Sequence, residues 1–380
     1  MEEFRHPGTG RVYVSVDVML DDLGELVTCE SFSADYEALA RSARVVAAQG
    51  ARLLGTAPEL LVIGGVPHLR WSFGSPRVLL LGHHDTVWPI GSLATHPWSV
   101  TDGVARGPGV FDMKAGLVQI FHALASLPTL DGVCVLITGD EEVGSLTSRA
   151  LIEEAARGCA ATFVLEASAD DGALKTARKG TSSYEVVVHG RAAHSGLEPD
   201  KGINAGVEVA RQILIINDLA ERVNQAEDRG YATTVTPTVV SAGTSSNTVP
   251  ARASVIVDVR APSVAAQQAV DDLIRGLTPV LAGARLEVTG GPNRVPLEAA
   301  SSAGLFALAQ RIGAKLGIEL SGAAVGGASD GNFTAGVGCP TLDGLGAVGG
   351  GAHADHEHTM VADLPVRTRL LAELVTGVTG

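Results

Sequence analysis

The sequence predicts an α/β protein: a discontinuous domain with a mostly parallel sheet and helices on both faces, plus an inserted ferredoxin-like α+β domain. Three observations predict this. Apolar runs alternate with segments of helical spacing up to about residue 166. Between about residues 180 and 291 the order becomes β-α-β-β-α-β, as in ferredoxin-like units. The alternation of apolar runs and helical segments then returns. We therefore assign 1–179 and 292–380 to the larger domain and 180–291 to the insertion.

The first part of the larger domain begins with helical spacing at 35–49. The segment RVLLLG at 77–82 is a continuous apolar run, which is typical of a strand buried on both faces. The elements that follow are a helix at 113–127, a strand at 132–138, a helix near 146–157 and a strand at 161–166.

The insertion opens with SYEVVVHG at 183–190, which alternates like a half-exposed strand. Its further elements are a helix at 203–219, strands at 231–243 and 252–260, a helix at 263–278 and a strand at 284–290. The larger domain resumes with a helix at 299–316, a short strand near 340–343 and a helix at 362–376.

Length and composition limit the class of protein. A chain of 380 residues is too long for one ordinary core, and a net charge of −14 argues against a nucleic-acid or anionic-membrane partner. No run of eighteen apolar residues is long enough to span a bilayer, and the polar N-terminus MEEFRHPGTG does not resemble a secretory signal, so we expect a cytoplasmic location. The four cysteines form no CxxC pair and are interpreted as buried thiols.

Polar side chains of one chemical kind follow the predicted strands of the larger domain. Open α/β sheets bind ligands at the carboxyl ends of their strands, so we expect these side chains to meet there. They are His83 and Asp85, Asp112, Glu141 and Glu142, Glu166, and His353 in a glycine-rich loop.

Two imidazoles and several carboxylates suit divalent metals of the zinc type, and so many acids favour two ions. We assign His83 and Glu166 to one ion, Glu142 and His353 to the other, and Asp112 to a bridging position. Two divalent ions, three carboxylates and one hydroxide are together neutral, as a partly buried site requires.

Two further acids then have separate tasks. Glu141 is free to take a proton from water, and Asp85 is placed to accept the other ring N–H of His83. Each residue alone has a plainer interpretation. Asp112 is a plausible helix cap, and the histidine-rich tail could be a polar loop.

The motifs together resemble the co-catalytic dizinc aminoacylases and carboxypeptidases of peptidase clan MH. This family includes bacterial glutamate carboxypeptidase, succinyl-diaminopimelate desuccinylase and acetylornithine deacetylase. The resemblance spans nearly the whole chain and is closest to the glutamate carboxypeptidase type, which has glutamate at the position of Glu166. The matching segments are, in order, GHHDTV, GPGVFDMKAG, TGDEEVGS, FVLEAS, RKGTSSYEVVVHGRAAHSG, SSNTVPARASVIVDVR, GGASDGNF and GGGAHADHEH.

The resemblance implies two divalent ions, zinc or else cobalt or manganese, on the five ligands named above, with Glu141 as general base. It implies that the insertion is a lid and homodimerisation domain whose His194 reaches the partner subunit's active site and stabilises the oxyanion. It also implies that Arg260 and Asn247 hold the substrate's carboxylate, that Ser329 and Asp330 line the same pocket, and that Glu357 supports the ligands.

The expected activity is hydrolysis of the amide bond in an N-acyl amino acid or short peptide with a free C-terminal carboxylate. One alternative is a deacylase of another N-acyl amino acid or amide conjugate. A second is a metal-free binding or scaffold relative, which the presence of all five ligands and the base disfavours. The sequence assigns no role to His84, His356 or His358.

Overall fold

The computed structural model describes residues 4–5, 12–13, 15–224 and 231–380. The N-terminal stretch that argues against a secretory signal lies mostly outside these residues. The chain divides into two compact units. Unit 1 comprises Met1–Thr176, Ala299–Ala324 and Ser329–Gly380, and unit 2 comprises Ala177–Glu298 and Val325–Ala328. In the described part of the chain, no helix combines the length and apolar character needed to cross a membrane.

The described strands, numbered β1 to β18 in chain order, span Phe4–Arg5, Val12–Tyr13, Glu59–Ile63, Val66–Phe73, Val78–His83, Ser99–Thr101, Val104–Arg106, Val133–Thr138, Ala161–Val164, Leu174–Arg178, Gly180–His189, Thr234–Ala242, Arg252–Ala261, Arg285–Arg294, Gly322–Val325, Thr341–Leu342, Gly349–Gly350 and His358–Met360. The described α-helices, α1 to α10, span Val16–Thr28, Tyr36–Leu54, Ala115–Ala125, Arg149–Ala156, Ala205–Asn217, Leu219–Val223, Val264–Arg275, Ala299–Leu316, Gly331–Gly336 and Asp363–Thr379. The chain passes between the units four times: within β10 after Thr176, at the start of α8 after Glu298, within β15 after Ala324, and after Ala328.

Unit 1 is built on a six-stranded sheet of order β16-β9-β5-β8-β4-β3. The neighbours from β16 to β8 are parallel, whereas β4 and β3 form an antiparallel edge. Successive residues of β5 enter different cores: Leu80 packs with α3 and α10, and Leu79 packs with α4 and α9. Because side chains alternate across a sheet, β5 is covered on both faces, and this confirms the predicted fold class.

Unit 2 contains the antiparallel sheet β12-β13-β11-β14 with α5, α6 and α7. Its core is formed by alternate residues of β11, Tyr184, Val186 and Val188, packed with residues of the helices. The chain order β11-α5-α6-β12-β13-α7-β14 is that of a ferredoxin-like unit, as predicted. The functional division into a catalytic and a lid domain stays a prediction.

The topology of unit 1 brings three of the candidate ligands to one edge of its six-stranded sheet. His83 is the last residue of β5, Thr138 is the last residue of the neighbouring strand β8, and Glu166 follows β9 by two residues. These three strands are parallel, so their carboxyl ends meet. The four cysteines are free thiols, of which Cys29 is only partly buried and the other three are buried.

Candidate metal centre

His83 occupies the centre of the candidate site with its side chain almost completely buried. Its Nδ1 atom lies 3.0 Å from the backbone carbonyl oxygen of Asp85 and 3.5 Å from the Asp85 carboxylate. A proton on Nδ1 therefore has an acceptor, and Nε2 is left to bind a ligand. Nε2 faces two carboxylates, Asp112 Oδ1 at 3.4 Å and Glu166 Oε1 at 3.5 Å.

Asp112 lies between the two imidazoles. Its Oδ1 faces His83, and its Oδ2 is 3.4 Å from Nε2 of His353. The same His353 nitrogen is 3.1 Å from Oε2 of Glu142. The structure thus brings together all five residues predicted as ligands, with Asp112 in the central position. Charge-assisted hydrogen bonds are about 2.7–2.9 Å long, so these longer separations fit donors that face a common ligand.

The carboxylates of this cluster stabilise positive charge near them. Burial raises the pKa of Glu142 to about 7, with the Asp112 carboxylate adding to the effect and His353 opposing it. The pKa of His353 rises to about 10, because the Asp112 and Glu142 carboxylates, 3.4 and 3.1 Å from its Nε2, stabilise the imidazolium. Burial lowers the pKa of His83, but contacts with Asp112, Asp85 and Glu166 outweigh burial and raise this pKa well above its ordinary value. A field that favours protons on both imidazoles also favours bound cations.

Unpartnered buried atoms test whether metal ions fit these residues. Among the described residues, His83 Nε2, Asp112 Oδ1 and Glu142 Oε1 are buried and have no hydrogen-bond partner. Two groups of three ligand atoms lie mutually within 4.8 Å, namely His83 with Asp112 and Glu142, and His83 with Glu141 and Glu166. Imidazole nitrogen and carboxylate oxygen suit zinc-type ions, so the donor set fits two divalent metals.

Asp85 fixes the turn that carries Glu141 and Glu142. Its Oδ1 accepts the backbone N–H of Glu141 at 3.2 Å, and its Oδ2 accepts the backbone N–H of Glu142 at 3.2 Å. Oδ2 also accepts the hydroxyl of Ser33 at 2.7 Å. Asp85 was predicted to orient His83, and for that ring its carbonyl oxygen is the nearer acceptor. The Asp85 carboxylate instead makes its shortest contacts with Ser33 and the Glu141–Glu142 turn.

The third acid of this segment, Asp140, points away from the ligands. Its Oδ2 accepts the backbone N–H and the hydroxyl of Thr147 at 2.7 and 2.8 Å, and its Oδ1 accepts the hydroxyl of Ser148 at 2.6 Å. The buried His68 completes the support, since its Nδ1 accepts the N–H of Gly139 at 3.2 Å and its Nε2 lies 3.0 Å from the Thr147 hydroxyl. The Asp140 carboxylate therefore holds the residues after the turn, whereas Asp85 holds the turn itself.

Two of the three histidines without a predicted role have partners outside the ligand set. His84 is buried, with Nδ1 3.2 Å from the Ser42 hydroxyl and Nε2 3.1 Å from the Pro67 carbonyl oxygen. Burial lowers the pKa of His84 to about 4, so it is neutral at physiological pH. His358 Nδ1 lies 2.9 Å from the carbonyl oxygen of His356 in the exposed tail of the loop. The structure gives His84 a packing role.

In unit 2, His194 lies exposed on a loop that fixes its tautomer. Its Nδ1 accepts the backbone N–H groups of Gly196 at 3.1 Å and Leu197 at 3.2 Å. A nitrogen that accepts two hydrogen bonds carries no proton, so the ring proton of neutral His194 is on Nε2. Asn247 is its neighbour, since the Asn247 carbonyl oxygen accepts the N–H of Ser195 at 3.0 Å.

Arg260 lies at the other end of the same sheet. It pairs with Thr181 across β11 and β13, whereas Arg252 pairs with His189 near the His194 loop. Eight residues at about 3.3 Å each separate the two ends of β13 by roughly 26 Å. The Arg260 guanidinium makes a bidentate contact with Asp258 at 2.9 and 3.0 Å. His194 and Asn247 thus form one group, and Arg260 is remote from it within the same unit.

Ser329 and Asp330 are buried in unit 1 with their side chains turned inward. The Ser329 hydroxyl donates to Asp343 at 2.6 Å, and Asp330 accepts from Thr138 at 3.1 Å and from Ser145. These contacts anchor the segment after β8, which includes the predicted base. Binding of substrate by Ser329 and Asp330 stays a prediction.

Comparison with known proteins identifies relatives along nearly the whole chain. The model of peptidase family M20/M25/M40 matches residues 79–377. Carboxypeptidase G2 from Pseudomonas sp. (strain RS-16) is 30% identical over 382 aligned positions, which cover 94% of this chain and 88% of that protein. A succinyl-diaminopimelate desuccinylase from Gluconacetobacter diazotrophicus is 30% identical over 322 positions, covering 80% of this chain and 82% of that protein.

A solved structure supports the fold independently. The M20 family metallo-carboxypeptidase from Sulfolobus solfataricus matches with a TM-score of 0.69 at 17% identity, covering 94% of this chain and 98% of that one. At this identity the likeness concerns the fold alone.

Proposed function

The chain belongs to peptidase family M20/M25/M40 and is a metal-dependent hydrolase, and we propose that it cleaves the amide bond of an N-acyl amino acid or short peptide with a free C-terminal carboxylate. The observation that carries this proposal is the position of Asp112. Its two carboxylate oxygens face two different imidazoles, at 3.4 Å each. A carboxylate placed in this way suits a bridge between two ions.

The proposed ligands of the first ion are His83 and Glu166, and those of the second are Glu142 and His353, with Asp112 shared. The proposed metal is zinc, with cobalt and manganese as alternatives, because the donors are imidazole nitrogen and carboxylate oxygen. When bound, such ions polarise a carbonyl group and lower the pKa of water. His83 and Glu142 would hold their ions on Nε2 and Oε1, which are buried and lack hydrogen-bond partners among the described residues.

Glu141 is the proposed general base. Its side chain is buried beside His83 and Glu166, and Asp85 holds its backbone N–H. In this position the Glu141 carboxylate would accept the proton of the attacking water and return it to the leaving nitrogen. We assign no metal to Glu141, because the three carboxylates of Asp112, Glu142 and Glu166 together with one hydroxide already balance the charge of two divalent ions.

His194 is the proposed oxyanion donor, acting in the partner subunit of a homodimer. Its Nδ1 is occupied by two backbone N–H groups, so Nε2–H is available to donate to a carbonyl oxygen that gains negative charge. The separation of roughly 26 Å between Arg260 and the His194 loop supports sharing between subunits. One short substrate cannot contact both ends of the same strand, so each lid would serve two active sites.

The proposed substrate has a carboxylate that Arg260 binds bidentately, with Asn247 contributing from the His194 group. Similarity to carboxypeptidase G2 favours release of a C-terminal amino acid, and the resemblance to the glutamate carboxypeptidase type makes an acidic residue the first candidate. Similarity to succinyl-diaminopimelate desuccinylases favours a second candidate, removal of a small acyl group from an amino acid. We also propose a cytoplasmic location, which the four free thiols support because disulfides form mainly in oxidising compartments.

A panel of N-acyl amino acids tests the proposal and separates the two candidates. Zinc-loaded protein is assayed on N-benzoyl-glutamate, other N-benzoyl amino acids and N-succinyl amino acids, with and without chelator. Preference for one leaving residue across acyl groups identifies a carboxypeptidase, and preference for succinyl across leaving residues identifies a deacylase. Metal-loaded dimer that cleaves none of these amides would contradict the proposed substrate class.

A further inference from the structure

Glu357 is a buried carboxylate that accepts four hydrogen bonds. Only 3% of the residue is exposed. Its Oε1 accepts the backbone N–H groups of Phe111 at 2.9 Å and Asp112 at 3.0 Å. Its Oε2 accepts the backbone N–H of Gly109 at 3.0 Å and the indole Nε1–H of Trp88 at 2.6 Å. The carboxylate therefore holds the backbone of the segment that presents Asp112.

The same carboxylate connects Asp112 to the loop of another ligand. Glu357 follows His353 by four residues in the segment between β17 and β18. A hydrogen bond from the Asp112 backbone to Glu357 thus fixes one ligand-bearing loop against the other. Trp88 orients the carboxylate through a short hydrogen bond from a third segment.

The two halves of the site differ in how firmly their ligands are held. His83 is the last residue of a fully buried strand, and its side chain is 1% exposed. His353 is on a loop with a backbone φ of 61°, and its side chain is 51% exposed. The His353 half of the site therefore depends more on contacts such as those of Glu357.

We propose that Glu357, held by Trp88, is a positioning residue that sets Asp112 relative to His353 and so determines the affinity for the second metal ion, the one assigned to Glu142 and His353. This inference rests on the proposed dinuclear function. It predicts that loss of Glu357 weakens one metal site selectively, because His83 ends one buried strand and Glu166 follows another, whereas Glu357 binds the Asp112 backbone and lies in the same loop as His353.

Substitution Glu357→Gln keeps the size of the side chain but gives it one acceptor oxygen and one NH₂ group. The amide oxygen retains at most one pair of donors, and the NH₂ group then faces the N–H groups of the other pair. Changes to groups that orient metal ligands typically cost about 10–100-fold in metal affinity, and we expect a loss of that size for the second ion. Trp88→Phe removes a single donor and should cause a smaller loss of the same kind.

The experiment measures zinc per chain by elemental analysis after equilibrium dialysis against a series of buffered zinc concentrations. Wild type, Glu357→Gln, Trp88→Phe and the control Asp22→Asn are compared. Asp22 is also a buried carboxylate in unit 1, but it contacts His122 and Arg52 instead of a candidate ligand. We expect two binding steps in wild type and the control, and a second step shifted about 10–100-fold in Glu357→Gln.

Equal weakening of both steps, or unchanged steps in Glu357→Gln, would overturn the inference. If Glu357→Gln does not fold, Trp88→Phe decides, since a selective shift of the second step supports the inference and no shift refutes it. Raised zinc should restore hydrolysis in Glu357→Gln but not in Glu141→Ala, which a general loss of structure would not produce. Failure of the proposed function is distinguishable, because wild type itself would then bind fewer than two ions.

Discussion

Replacing Asp85 with asparagine should lower catalysis by removing a hydrogen bond that holds Glu141, the proposed general base. The buried Asp85 carboxylate accepts the N–H groups of Glu141 and Glu142 on different oxygens, and Ser33 shares the oxygen used by Glu142. Asparagine has one acceptor oxygen, which serves Ser33 and Glu142 best. Its NH₂ group then faces the N–H of Glu141, so the lost hydrogen bond is the one to the proposed general base.

The magnitude follows from that one contact. A hydrogen bond to a charged group contributes about 1.5–3 kcal/mol, and each 1.4 kcal/mol is about tenfold. We therefore expect Asp85→Asn to lower kcat roughly 10- to 100-fold. KM should change little, because Asp85 touches no proposed substrate group. His83 keeps the Asp85 carbonyl oxygen as its Nδ1 acceptor at 3.0 Å, so both metal ions should stay bound.

The assay is steady-state hydrolysis of an N-acyl amino acid by zinc-loaded protein, with zinc per chain measured on the same samples. Ser33→Ala is the matched control, because it removes one neutral donor from Asp85 and leaves both backbone contacts in place. The decrease in kcat of Ser33→Ala should be smaller than that of Asp85→Asn, equivalent to about 0.5–1.5 kcal/mol. Activity of Asp85→Asn within twofold of wild type, or an equal loss in Ser33→Ala, would refute the reasoning.

Three further predictions concern the proposed lid domain, the proposed substrate contact and a buried histidine. Replacing His194 with alanine should lower kcat about 10²–10³-fold. Mixing His194→Ala subunits with Glu141→Ala subunits should restore part of the activity, because each mixed dimer has one intact site. Complete inactivity of the mixture would contradict sharing between subunits. Arg260→Lys loses the bidentate contact and should weaken the binding of carboxylate substrates by roughly 1–2 kcal/mol, which raises their KM. The KM of a matching ester should change little. Equal effects on acid and ester would contradict contact with the carboxylate. The pKa of His84 falls from 6.5 to about 4 on folding, so the folded state binds fewer protons and its stability, complete above pH 6.5, declines as the pH falls toward 4. Between pH 8 and pH 5 the free energy of unfolding should fall by about 2 kcal/mol because of His84. Urea unfolding of His84→Gln should show a smaller fall over the same pH range. An equal fall in both proteins would show that His84 does not titrate in this way.

Much of the fold is readable from the sequence because strand burial leaves a direct pattern. The run at 77–82 predicts a strand covered on both faces, and Leu79 and Leu80 indeed pack into different cores. The hairpin of β3 and β4 is not among the predicted elements. Its antiparallel position at the sheet edge leaves β3 largely exposed, so it lacks the buried run that marks the central strands. Helix α1 is likewise unpredicted.

The candidate ligands are readable for a related reason, since strand ends bring polar residues to one edge of a parallel sheet. The groups that support them are not. Ser33 donates to Asp85 across 52 residues, and His68 contacts Thr147, beyond the Glu141–Glu142 turn, across 79 residues. Trp88 reaches Glu357 across 269 residues. The spacing of residues along the sequence does not indicate such distant pairs. Covariation between positions across homologous sequences would indicate them.

Ser329 and Asp330 show the limit of motif matching. Their segment matches the family pattern, yet their side chains are buried and bonded to Asp343, Thr138 and Ser145. Residue identity alone does not distinguish a side chain that faces a pocket from one that holds the pocket's wall. Three-dimensional contacts are needed for that distinction.

The most direct test of the dinuclear site is hydrolysis of N-benzoyl-glutamate as zinc is added back to metal-free protein, for wild type and Glu141→Ala. The five ligands and the base proposed here predict that wild-type activity rises to a plateau at two zinc ions per chain, and that Glu141→Ala binds the same two ions without hydrolysing the substrate. Full activity in metal-free protein, saturation at one ion, or an active Glu141→Ala variant would contradict the account.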